Sequence, residues 1–253
     1  LGYFFTRDIW PGLITMGLKG INAQGVAAVL WKIGRGHSLA LLCILGALVS
    51  FIAWDQKKTY WFYILALFSA ICAHLTLFNA VMLPAILCSY LLIFKGFPKK
   101  VRQLMAYIKV LLPFMAITGG YLYLYLFVFT TLAPSEYYNR GQSLIIKSGR
   151  YLLDYFSIFP QNFRNILHNE KFLPYLGIVT LTLLITAFIM IKNKPIRFAA
   201  IWMMCTLLPY LSVIGSADYQ PSRYRYIPLV GFSIILAVCL LQVKNTSFSS
   251  HFI

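Results

Sequence analysis

Acidic residues are scarce in this chain: six Asp and Glu among 253 residues, against 22 Lys and Arg. None of the six stands beside a second carboxylate, so the sequence offers no acid pair for general acid–base work. Signatures of nucleotide and metal chemistry are missing as well. There is no Walker loop, dinucleotide-binding glycine fingerprint, nucleophile elbow, HExxH or paired-cysteine motif. That absence removes most classes of soluble enzyme and leaves no cofactor identified; a divalent metal stays open, with no ligand motif to hold it. The five cysteines (Cys43, Cys72, Cys88, Cys205, Cys239) all lie inside apolar runs, without metal-site spacing or the loop positions of a disulfide framework. They read as packing residues. A charged n-region with a cleavage site is also lacking and the numbering opens at Leu1, so the chain reads as the later part of a longer protein.

What is abundant is apolar. The chain is 60% hydrophobic and 17% aromatic, with 11% charged residues and a mean hydropathy of +0.76, which excludes an ordinary soluble domain. Apolar windows long enough to cross a bilayer, about 18 residues, recur with short charged connectors. They predict an all-α polytopic membrane protein, a single transmembrane domain over residues 1–253 with about seven spans plus outer interfacial helices. The spans are 38–54, 60–74, 78–94, 105–129, 172–191, 197–213 and 224–242. The run from Tyr60 to Phe94 carries no strong charge and is too long for one helix, so it should turn near His74 to Asn79.

The net charge of +16 would suggest nucleic acid on a soluble protein. Here it is better explained by basic loops between spans facing anionic headgroups, with no nucleic-acid partner. Lys57 and Lys58, then Lys95, Lys99, Lys100 and Arg102, then Lys192, Lys194 and Arg197, then Lys244 fall on alternate connections. All ten land on one side, which the positive-inside rule makes cytoplasmic. The turn at 75–77, the 130–171 loop and the 214–223 loop then face outward.

Residues 9–31 form a Gly-interrupted apolar run that fits either a partial span or an outer interfacial helix. Trp10, Trp31, Trp54 and Trp61 lie near expected boundaries, as interface anchors do. The 130–171 loop mixes charges with the apolar string Leu144, Ile145, Ile146, Tyr151, Leu152, Leu153, Phe156. It predicts an amphipathic helix on the outer leaflet, either roofing a cavity or presenting a plain solvated face.

Polar groups converge on the outer face: Arg35 with His37, His74 with Asn79, the 130–171 loop, and Asp218 with Arg223 and Arg225. Two guanidiniums and two phenols in Ser222-Arg223-Tyr224-Arg225-Tyr226-Ile227-Pro228 suit phosphate, because arginine holds a planar fork of donors and stays charged. On a regular helix Arg223 and Arg225 would point about 200° apart. Pro228 disfavours helix at the residue before it, which puts both arginines in a preceding loop. Arg35, between two glycines, serves equally as a helix cap touching lipid phosphate. His37 and His74 lack a second ligand at metal spacing, and structural roles suit them better than metal binding.

Three segments resemble polytopic glycosyltransferases of the GT-C class, which take a sugar from a polyprenyl-phosphate donor on the outer membrane face. AAVLWKIGRGHSLALL (27–42) is similar to the stretch in which a Gly-Arg pair ends an outer loop before a helix. CAHLTLFNAVMLPAILCSYLL (72–92) resembles a helical hairpin with an aliphatic-Pro step, here Met82-Leu83-Pro84. The segment from Leu207 to Leu240 looks like the family's (E/S)-R-Y-x-Y-x-P signature. The resemblance implies a multi-pass protein, expected in a bacterial inner (plasma) membrane, whose partners are a lipid-linked sugar donor and membrane lipids. It implies lipid-phosphate binding by Arg223, and more weakly by Arg225, Tyr224, Tyr226 and Arg35. His37, His74 and Asp218 are candidate contacts to the acceptor or lipid. Two departures stand out. The family's catalytic aspartate belongs to an outer loop upstream of these segments, leaving the catalytic residue unknown here, and the hairpin's usual acidic position is Leu77 or Phe78. A transporter or flippase of lipid-linked sugars, and a non-catalytic membrane scaffold, are the rival readings.

Overall fold

A computed structural model describes residues 9–21, 35–129, 193–211 and 226–249, with five isolated helical positions between 175 and 186. Among the described residues every regular element is helical. In chain order these are α1 (Ile9–Ile21), α2 (Arg35–Lys57), α3 (Tyr60–Thr76), a 3₁₀ turn (Phe78–Met82), α4 (Leu83–Tyr90), a π turn (Leu91–Lys95), α5 (Val101–Leu124), a second π turn (Tyr125–Phe129), α6 (Lys194–Leu211) and α7 (Leu229–Ser249). Three continuous helical stretches are long and apolar enough to cross a membrane: Gly36–Lys57, Phe78–Lys95 and Val101–Val128. Tyr60–Thr76 and Leu229–Leu240 are apolar but shorter. The expected spans 38–54, 60–74, 78–94, 105–129, 197–213 and 224–242 each overlap a described helix. The 172–191 span lies outside the described residues except for isolated helical positions, and the 130–171 loop lies outside them altogether. In the 9–31 run the described helix has 13 residues, about 20 Å at 1.5 Å per residue and short of the roughly 30 Å hydrocarbon core.

The chain divides into two compact units. One comprises residues 28–139 and 208–221; the other comprises 1–27, 140–207 and 222–253.

In the 28–139 unit, local chemistry sets each turn. Lys58 adopts a left-handed conformation (φ 56°) and its N–H donates to the Trp54 carbonyl at 2.7 Å, closing α2 in the manner usually left to glycine. Extended Thr59 then starts α3. At the far end the Thr76 hydroxyl donates back to Cys72 and Ala73 carbonyls at 3.1 and 2.8 Å, extended Leu77 breaks the helix, and Pro84 sits in the first turn of α4 where a missing N–H costs nothing. The expected turn between His74 and Asn79 is there.

α2 and α3 pack through small residues. Ala66, Ala70 and Ala73 are fully buried at helical spacing, and a Cβ on Gly46 would lie 3.4 Å from Ser69 Oγ. Where lipid is as apolar as the core, close backbone approach and dispersion hold helices together, so small residues at the seam matter more than bulk. Phe51 anchors the centre, its ring 5.5 to 6.1 Å from those of Trp54, Tyr90 and Phe114. The opposite face of α3 is apolar and exposed at Trp61, Ile64, Leu65, Phe68, Ile71 and Leu75. A lipid-facing helix has that pattern.

In the other unit α1 packs along α7, and α6 meets α7 at Gly231. A Cβ at position 231 would stand 2.6 Å from both the Ala199 carbonyl oxygen and Met203 Cγ, so only glycine permits this approach. Trp202 is fully buried beside it and donates its indole N–H to the Ile227 carbonyl at 3.0 Å.

Candidate functional site

The 28–139 unit is polar at two opposite ends. The first end gathers the close of α3, the 3₁₀ turn and the later turns of α5. His74 is buried there, with Nδ1 2.8 Å from the Ala70 carbonyl oxygen and Nε2 2.9 Å from Thr118 Oγ1. A carbonyl can only accept, so Nδ1 carries the proton and Nε2 of the neutral ring accepts from the threonine hydroxyl. The Tyr121 ring meets the imidazole edge-on at 5.4 Å, and Phe78 and Tyr125 continue the aromatic wall at 4.8 Å from each other. Asn79 is buried in the 3₁₀ turn.

α2 runs antiparallel to α3 through the two-residue turn at Lys58 and Thr59. The register that faces Gly46 with Ser69 brings buried His37 to the level of Phe78. The backbone of Arg35, which opens α2, lies at the same end. The fold therefore brings the expected pair of histidines to one end of one unit. Both ring nitrogens of His74 are engaged, so contact with an outside group requires release of Thr118. The sequence gives no sign of Thr118 or Tyr121, because their helix is apolar and their partner His74 is distant in sequence, 44 residues from Thr118.

The second end holds the lysine-rich connections. Asp55, in the last turn of α2, is buried and accepts from Lys58 Nζ at 2.8 Å, from Lys95 Nζ, and on its other oxygen from the Tyr90 hydroxyl at 3.3 Å. Lys95 belongs to a π turn, whose extra residue shifts the helical phase and aims its ammonium at Asp55. The connections at 57–58 and at 95 thus share one end of the unit, as the loop charges predict. Asp55 went unremarked in the sequence, although it is the one acid between Asp8 and Glu136 and stands three residues before a lysine.

Of the remaining expected residues, Tyr226 belongs to the other unit. It is half-buried in the turn Tyr226-Ile227-Pro228 that precedes α7. Helical bonding starts there, with Gly231 N–H donating to the Pro228 carbonyl at 3.0 Å. Asp218, Arg223, Tyr224 and Arg225 lie outside the described residues. No group of three or more His, Cys, Asp or Glu among the described residues is placed to hold a metal ion.

No family model matches the chain, and neither a curated protein nor a solved structure matches it.

Proposed function

We propose that this chain is the membrane-embedded part of a GT-C-like glycosyltransferase, multi-pass, that takes a sugar from a polyprenyl-phosphate donor on the non-cytoplasmic face. One observation carries the reading most: the turn at Tyr226-Ile227-Pro228, with α7 starting only at Leu229. The described helix begins after both arginines in sequence, and proline disfavours helix at the residue before it, which supports the proposal that Arg223 and Arg225 act from a preceding loop. The indole of Trp202 braces that turn from α6. Membrane-length helices and basic ends that share one face of the 28–139 unit agree with it.

In the proposed reaction the acceptor hydroxyl loses its proton to a carboxylate of the outer loop that the resemblance places upstream. Its oxygen then attacks the anomeric carbon, the bond from that carbon to the phosphate oxygen breaks, and configuration inverts. Arg223 meets the charge that develops on the departing lipid phosphate. A preset donor in a water-poor site contributes about 3 to 4 kcal/mol at such a step.

The test is Arg223→Ala in the full-length protein, with sugar transfer assayed in membranes. The expected loss is on the order of 10² to 10³ in turnover. Transfer at the wild-type rate removes Arg223 from the mechanism.

A further inference from the structure

We infer that the Lys57 and Lys99–Arg102 end of the 28–139 unit is a docking surface for anionic phospholipid headgroups, separate from any donor site. Between Asp55 and Arg102 the chain carries six cations and one carboxylate. That carboxylate is already satisfied, because Asp55 holds Lys58 and Lys95. Lys57, Lys99, Lys100 and Arg102 are exposed, and none has an acidic partner among the described residues. The Asp55 clamp gathers the two connections, so these four cations crowd one end of the unit. The loop between them is pinned as well: the Tyr107 hydroxyl donates to the Gly96 carbonyl at 3.3 Å, and the Lys99 N–H donates to Gln103 Oε1 at 3.0 Å.

Charge complementarity calls for an anion, and the neighbours of the cations say which kind. Tyr60, Trp61 and Phe97 are 79%, 77% and 72% exposed beside the lysines. Below Arg102 the exposed surface of α5 becomes mainly apolar, through Leu104, Met105, Ile108, Leu112 and Met115, with Lys109 as its one exposed cation. A polyanion in water would leave those rings and that apolar face wet. A bilayer covers both, with the rings at headgroup depth and phosphates level with the cations. Lys57 lies 5.4 Å over the Phe62 ring, which holds its ammonium at this boundary.

The test is native mass spectrometry of the full chain released from micelles that contain phosphatidylglycerol and phosphatidylcholine in equal amounts. The wild type should retain phosphatidylglycerol about tenfold more, as expected for several lysines at a headgroup surface. The triple variant Lys57→Gln, Lys99→Gln, Lys100→Gln should fall to near parity, and the matching triple arginine variant should keep the preference. Millimolar inorganic phosphate should displace nothing. Equal retention by the wild type, an unchanged preference in the glutamine variant, loss in both triple variants, or displacement by free phosphate would each overturn the assignment.

Discussion

At the scale of single residues, the polar side chains inside the apolar helices act as bridges between them. His74 joins α3 to α5 through Thr118, the partner of its Nε2 among the described residues. Thr118→Val leaves that nitrogen unsatisfied and should cost about 1 to 2 kcal/mol in reversible unfolding from mixed micelles. A double-mutant cycle with His74→Leu should return a coupling of about 0.6 to 1.7 kcal/mol; additive losses would show that the two do not interact. Asp55 bridges α2 to the π turn after α4. Asp55→Asn strands two ammonium groups, but Lys58 and Lys95 keep 63% and 37% of their side-chain exposure and can turn back to water. The loss is then about 1 to 2 kcal/mol rather than the larger penalty of a sealed ion pair. A thermal midpoint equal to wild type would show that Asp55 holds nothing together.

At the scale of elements, helices are where the sequence speaks most clearly. Apolar runs with proline or lysine at their ends located α2, α3, α4 and α5 to within a few residues, because hydrophobic length and breakers act locally. Interruptions inside helices are less legible. Nothing in Leu91 to Lys95 or Tyr125 to Phe129 announces a π turn, which arises from what surrounds the helix. Pro113 inside α5 withholds the N–H that the Lys109 carbonyl would accept, and the Tyr63 hydroxyl donates to the next carbonyl, Val110, at 2.8 Å. Tyr63→Phe removes that brace and should lower stability by about 1 kcal/mol, read in the same unfolding assay. Gly231→Ala tests the seam of α6 and α7. The Ala199 carbonyl cannot yield 2.6 Å to a methyl group without moving its helix, so a loss of about 1 to 3 kcal/mol is expected. Wild-type stability in that variant would mean the helices separate at no cost.

At the scale of the whole molecule, loop charge foretold that the connections at 57–58 and 95–102 share an end, and Asp55 joins them there. The sequence had no means of pairing His74 with Thr118, since long-range packing leaves no local mark. Topology can be measured directly. In a cysteine-free background, Leu77→Cys and Lys100→Cys should be labelled by an impermeant maleimide from opposite sides of the membrane. Labelling of both from one side would show that the two ends do not lie on opposite faces, and labelling with the sides exchanged would reverse their assignment. The division of the chain also has a consequence for its synthesis. Most of one unit is a single contiguous stretch from 28 to 139, whereas α1 must wait for α7, which starts only at Leu229. At about 5 to 20 residues per second that wait is roughly 10 to 40 s. Throughout it α1 lacks its contact with α7 and is open to insertion factors and to quality-control proteases.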